Sequence, residues 1–134
     1  MNRISLAELD LLEIEHNFSL PYELKEFLCL GDLKLEKRMV RLKDGDWESE
    51  TRLHGFYSTL EGIKSSFDNL SEPWWPDGYI SFAYDEGGEA FCVCIKPEKA
   101  GQIYYFMSDC IGEDPEDAML FVSNSFTEFL NLLE

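Results

Sequence analysis

Residues 79–107 constrain the fold more than any other part of the chain. Three apolar runs, Tyr79–Tyr84, Glu89–Ile95 and Gln102–Met107, follow one another with only Asp85–Gly88 and Lys96–Gly101 between them. The first alternates, with Ile80, Phe82 and Tyr84 on one side, which is the period of a strand. Asp85-Glu86-Gly87-Gly88 reads as a turn, because glycine takes positive φ at no steric cost. Links this short cannot carry the chain back for a parallel pairing, so the three strands form an antiparallel meander.

Helical patterns flank this block. Ser5-Leu6-Ala7-Glu8 has the spacing of a capping box and predicts a helix over 5–16. Pro21 suits a first helical turn and Gly31 an end, and Leu20, Leu24, Phe27 and Leu28 share a face between them, predicting a helix over 20–30. Ser58-Thr59-Leu60-Glu61 repeats the capping pattern ahead of Leu60, Ile63 and Phe67. Ser125 and Glu128 cap a last helix in which Phe126, Phe129, Leu130 and Leu133 recur at i, i+3, i+4 and i+7. Short strands are expected at 33–35, 39–42 and 51–57, with a polar turn at 43–46. Ser71–Gly78 and the acidic stretch 109–117 read as loops. Helices at the ends and strands in the middle give an α+β fold: a central, mainly antiparallel sheet (meander 79–107) with N-terminal and C-terminal helices packed on it.

No repeat or Gly/Ser/Pro linker divides the 134 residues, so 1–134 is read as a single domain. With 45% hydrophobic and 14% aromatic residues the chain can bury a core without metal or disulfide staples. No stretch approaches the roughly 20 apolar residues of a membrane span, and the acid-rich start is unlike a signal peptide. A soluble, cytoplasmic protein is expected. Its four cysteines, Cys29, Cys92, Cys94 and Cys110, then stay reduced. Cys92 and Cys94 would point the same way on a strand. With only His16 and His54 as further soft ligands, buried small hydrophobes are favoured over a metal site.

Charge excludes another class. Eleven Lys and Arg against 27 Asp and Glu give a net charge of −16, which disfavours direct binding to nucleic acid or an anionic membrane. No G-x-S-x-G elbow or distinctive cysteine setting marks a hydrolase. Asp85-Glu86-Gly87-Gly88-Glu89 lacks the ligand ladder of a calcium loop. No catalytic, cofactor-binding or metal-binding residue is therefore assigned.

The charges are unevenly spread. All basic residues precede Ala100, and from there on the chain carries seven acids and no Lys or Arg. Two clusters stand out: Asp44, Asp46, Glu48 and Glu50 around Trp47, and Asp109, Glu113, Asp114, Glu116 and Asp117. These ten residues are the candidate partner-binding surface. Each acidic cluster can equally be a solvated face that aids solubility. As a binding surface they would imitate phosphate toward a basic protein. Trp47, flanked by Asp46 and Glu48, is expected to be exposed, Trp75 to be core, and Trp74 is left open.

Several segments resemble the SUKH superfamily. Ile14-Glu15 with Leu20-Pro21-x-x-Leu24-Lys25-x-Phe27-Leu28 is similar to its opening helix. Trp75-Pro76-x-Gly78-Tyr79-Ile80-x-Phe82-Ala83, Gly87-Gly88-Glu89-Ala90-Phe91-Cys92 and Gly101-x-Ile103-Tyr104-Tyr105 resemble its strands. Ser125-Phe126-x-Glu128-Phe129-Leu130 resembles its closing helix. The chain departs from the usual pattern at Leu30-Gly31-Asp32 and at Gly88-Glu89. The resemblance implies protein binding without catalysis. Many bacterial members are immunity proteins that neutralise a cognate toxin, often a nuclease, in polymorphic or contact-dependent systems. Other members are intracellular regulatory scaffolds, which is the alternative function here.

Overall fold

Each strand pairs with its neighbour in sequence, so the sheet has the order β1-β2-β3-β4-β5-β6 with every pairing antiparallel. The computed structural model describes residues 2–134. Its strands are β1 (Met39–Asp44), β2 (Trp47–Phe56), β3 (Tyr79–Asp85), β4 (Ala90–Cys94), β5 (Ile103–Phe106) and β6 (Met119–Ser123). Its helices are α1 (Leu6–His16), α2 (Tyr22–Leu30), α3 (Leu60–Phe67) and α4 (Phe126–Leu132). The α+β class and the meander are thus as the sequence implies.

The meander is buried on both faces, which is why all four residues of β5 are inaccessible. Alternation sends Phe91, Val93, Ile103 and Tyr105 to one face, against Leu9, Leu24 and Leu28 of the first two helices and Phe126 and Phe129 of α4. Phe82 meets Phe126 and Phe129 edge-on, with ring centroids 5.4 and 5.6 Å away. Cys92, Cys94, Tyr104 and Phe106 go to the other face with Trp75, Tyr79 and Ala118. Cys92 and Cys94 do point the same way. This second face is closed by residues of the 70–76 and 115–118 segments, with short 3₁₀ turns in place of an α-helix.

β2 serves two partners. Trp47–Arg52 pair with β1, and Leu53–Phe56 pair with β3, with a register shift between Leu53 and Gly55. β1 and the outer half of β2 therefore form a hairpin that bends back over the sheet, placing Val40 and Leu42 in the main core and β1 beside β6. Its far strand is tied to the C-terminus, where Met39 and Glu134 exchange backbone hydrogen bonds of 2.9 Å each.

Several expectations need correction. Leu33–Leu35 is a turn of 3₁₀ helix, because the Asp32 carboxylate accepts from the Lys34 N–H and tightens the chain there. The turn expected at 43–46 shrinks to Gly45-Asp46, with Gly45 at φ +61°, and β2 begins at Trp47 instead of 51. Thr59, not Ser58, caps α3, its hydroxyl accepting from the Gly62 N–H at 3.0 Å. Pro21 precedes α2 instead of opening it. Gly31 ends that helix at φ −68°, and a Cβ there would lie 2.1 Å from the Phe27 ring, so close approach is what demands glycine. β6 was not anticipated at all.

Phe129 is fully buried among three aromatic rings, those of Phe82, Phe91 and Phe126, on the helix-covered face. Truncation to Ala leaves a cavity that α4, pinned at both ends, cannot close. Phe129→Ala is expected to lower stability by roughly 3–5 kcal/mol in urea unfolding; a wild-type midpoint would remove Phe129 from the core.

Candidate functional site

The hairpin distributes its acids by pleat. Val40 and Leu42 are buried, and by register Asp44, Trp47, Ser49 and Thr51 share their face. Glu48 and Glu50 fall on the opposite face, across from Lys43 and Arg41. Lys43 and Glu48 approach to 3.6 Å with both side chains 71% exposed, a contact worth little in water. Asp46 lies in the turn itself.

Between the hairpin and the exit of β5 runs a groove of about 290 Å³. Leu42, Tyr105 and Met107 provide its apolar lining, and Trp47 is a wall that remains 43% exposed. Glu89 and Asp109 supply carboxylates, Cys110 completes the lining with Ser49 and Thr51, and Glu50 borders the groove with its side chain on the other face of the hairpin. The two candidate segments, separate in sequence, thus meet here through Trp47 on one side and Asp109 on the other.

A buried carboxylate fixes this geometry. Asp85, 3% exposed, accepts from the hydroxyls of Thr51 (2.6 Å) and Tyr105 and from the N–H groups of Gly87 (3.0 Å) and Glu89 (2.9 Å). One side chain thereby joins the hairpin, the β3–β4 turn and β5. Burial, and then the bond to Asp85, push the Tyr105 phenol well above its ordinary value. Glu89 in turn accepts from the N–H (2.7 Å) and hydroxyl (3.0 Å) of Ser108, which holds the chain just before Asp109.

The rest of the 109–117 cluster does not line the groove. Glu116 accepts from the Tyr79 hydroxyl at 2.7 Å and from the Lys96 ammonium, on the side of the second core. Asp114 accepts from the Glu116 N–H at 3.0 Å and shapes the turn. Asp109, Glu113 and Asp117 are exposed and, among the described residues, their carboxylates make no hydrogen bond or ion pair. Trp75 is core, donating its indole N–H to the Tyr79 carbonyl at 2.9 Å, while Trp74 stays 41% exposed against Phe106.

The histidines stand apart from this region. His54 Nδ1 lies 2.9 Å from the Lys37 ammonium, and His16 packs edge-on against Phe67. Among the described residues no three His, Cys, Asp or Glu gather as metal ligands, and no helix is long and apolar enough to cross a membrane.

The profile of the SMI1 / KNR4 family (SUKH-1) matches residues 3–132. The chain belongs to this family. No curated protein matches it significantly. Most large apolar residues of the SUKH-like segments are packing positions: Leu24, Phe27, Trp75, Phe82, Phe91, Ile103 and Phe129 are all buried, while Ile14 is exposed. The hairpin tip and the 109–117 connection, which carry the candidate surface, lie outside those segments.

Two measurements probe this region. Asp85→Asn replaces a carboxylate facing four donors by an amide, and should cost roughly 1.5–3 kcal/mol in urea unfolding, the range for hydrogen bonds to a charged group. An unchanged midpoint would mean that Asp85 does not lock the hairpin. For Glu116, the bond from Lys96 and then that from Tyr79 hold its carboxyl below the ordinary 4.5. A folded-state value below the unfolded one stabilises above the unfolded pKa and is lost as pH falls through the folded one. The stability gap between wild type and Glu116→Gln should therefore be widest above pH 4.5 and close on acidification. A gap that is independent of pH would contradict the pairing.

Proposed function

We propose that this chain is an immunity protein, which binds and neutralises a cognate, cationic toxin domain, most simply a nuclease, of a polymorphic or contact-dependent toxin system. It would act as one domain in the bacterial cytoplasm, by binding alone, with no catalytic residue and no cofactor. Membership of the SUKH-1 family is consistent with this role. The observation that carries the cationic partner is the set of exposed carboxylates left without cations: Asp109, Glu113 and Asp117 in a stretch with no Lys or Arg, in a chain of net charge −16.

The physics suits the task. An immunity protein must capture its toxin before the toxin reaches nucleic acid. Opposite fields raise association from a neutral 10⁵–10⁶ M⁻¹s⁻¹ to about 10⁸ M⁻¹s⁻¹ at low salt. Carboxylates would meet the basic groups that otherwise grip phosphate, so that neutralisation and blockade of the toxin's substrate site are one event. A regulatory scaffold would share the fold and the acidity but have no toxin as its neighbour.

The test is co-expression with the toxin domain encoded beside it. Cells carrying both should survive, and the complex should form at low salt. Death at the same rate with and without this protein, and no complex, would leave the scaffold alternative. Within a complex, Glu113→Gln and Asp117→Asn together should slow association and flatten its salt dependence while changing dissociation less. These two are the informative acids, because Asp114 and Glu116 already hold internal hydrogen bonds and Asp109 borders the groove.

A further inference from the structure

We infer that the groove beside Trp47 is a socket for one long cationic side chain of a protein partner, an arginine, which stacks on the indole and meets the Asp109 carboxylate. The inference rests on the protein-binding reading above and deepens it from a diffuse acidic surface to one contact. Three observations carry it.

The first is charge. The lining carries the carboxylates of Glu89 and Asp109, with that of Glu50 on the far face of the hairpin, and neither Lys nor Arg. Glu89 is committed to Ser108, but Asp109 has no partner among the described residues. A second copy of this chain would bring another net charge of −16, so self-association is disfavoured on the same ground.

The second is shape and polarity. At about 290 Å³ the groove falls just below the range of roughly 300–1,000 Å³ in which small-molecule sites lie. Its apolar part, Leu42, Tyr105 and Met107, fits the methylene stem of a long side chain whose head stays polar. Trp47 offers a 43% exposed indole, the best aromatic surface for a cation. Arginine fits better than lysine, because a planar guanidinium both stacks on a ring and presents a fork to a carboxylate.

The third is rigidity. The wall and floor belong to different elements, β2 and β5, which Asp85 clamps through Thr51 and Tyr105. A socket held open before binding loses little entropy on being filled.

The probe is a hexa-arginine peptide titrated into the intact protein, with hexa-lysine and hexa-citrulline as the weaker cation and the neutral isostere, followed by amide and indole N–H chemical shifts. Shifts should concentrate on the Trp47 indole, Ser49, Met107 and Cys110, with affinity in the order arginine, lysine, citrulline. Trp47→Ala should weaken hexa-arginine binding about tenfold, Trp47→Phe less, and Asp109→Asn several-fold, while Glu15→Gln on α1 changes it little. Shifts spread evenly over the acidic surface, equal binding of citrulline, or no effect of Trp47→Ala would overturn the socket. With the toxin domain the two readings separate. Full neutralisation by a Trp47→Ala, Asp109→Asn variant at unchanged affinity overturns the socket and keeps the immunity reading. Arginine-selective shifts in the groove without any toxin complex support the socket and discard the immunity reading.

Discussion

The buried carboxylate of Asp85 is the contact on which the functional half of this molecule depends. A charge at 3% exposure is tolerable only when its oxygens are fully occupied, and here four donors surround it. Two come from the turn that follows it and close the Gly87-Gly88 corner. The other two come from the hairpin and from β5, elements that the sheet ladder alone would not hold in a fixed relation. β2 leaves the sheet at a register shift, which is a natural place for a strand to bend. Without the tie at Thr51 the hairpin would be anchored by Val40 and Leu42 below and by Glu134 at its edge. Asp85 adds direction to that anchorage.

The second organising fact is where the few cations are spent. Arg3 donates to the carbonyls of Phe27, Leu28 and Gly31 and closes the end of α2, where a positive charge also meets the negative pole of the helix. Lys25 bridges Asp10 and Glu13 and locks α1 to α2. Burial alone would lower its pKa, yet the two carboxylates leave it raised. Lys96 holds Glu116 against the second core. Among the described residues Asp85 is the one buried acid, so the excess negative charge lies almost entirely at the surface. At physiological salt, screening over about 8 Å limits the repulsion between separate acids, which lets such a fold persist.

Legibility followed the range of the interactions involved. The meander could be read because its turns are short and local, and α1 because Ser5 and Glu8 form both halves of their capping box. β6 escaped because Met119–Ser123 is short, has no turn residues of its own and earns its place only by pairing with β5. Leu33-Lys34-Leu35 alternates like a strand, but three residues cannot outweigh the side-chain bond of Asp32. Trp47 was legible as an exposed aromatic in a polar segment. The groove was not, because Leu42, Trp47, Tyr105 and Asp109 become neighbours only through hairpin register and the bend in β2. Nor was the place of Asp85, which in the sequence is simply the first residue of a glycine turn.

This division has a consequence for how the fold can serve binding. The large apolar residues of the SUKH-like pattern, Leu24, Phe27, Trp75, Phe82, Phe91, Ile103 and Phe129, are buried in the two cores, whereas Trp47, Asp109, Glu113 and Asp117 hang on a hairpin and a connection outside them. Charge and shape at those positions can change without a cavity or an unpaired group appearing in the core, so a stable scaffold can be fitted to different partners. The two proposed contributions then fall on different steps of recognition. The diffuse field of exposed carboxylates acts at long range and sets how often the partner arrives. The groove, small and preorganised by the Asp85 clamp, acts only at contact and sets how long the partner stays. An acidic surface alone gives fast but exchangeable binding; it is the rigid aromatic wall beside it that can turn encounter into retention.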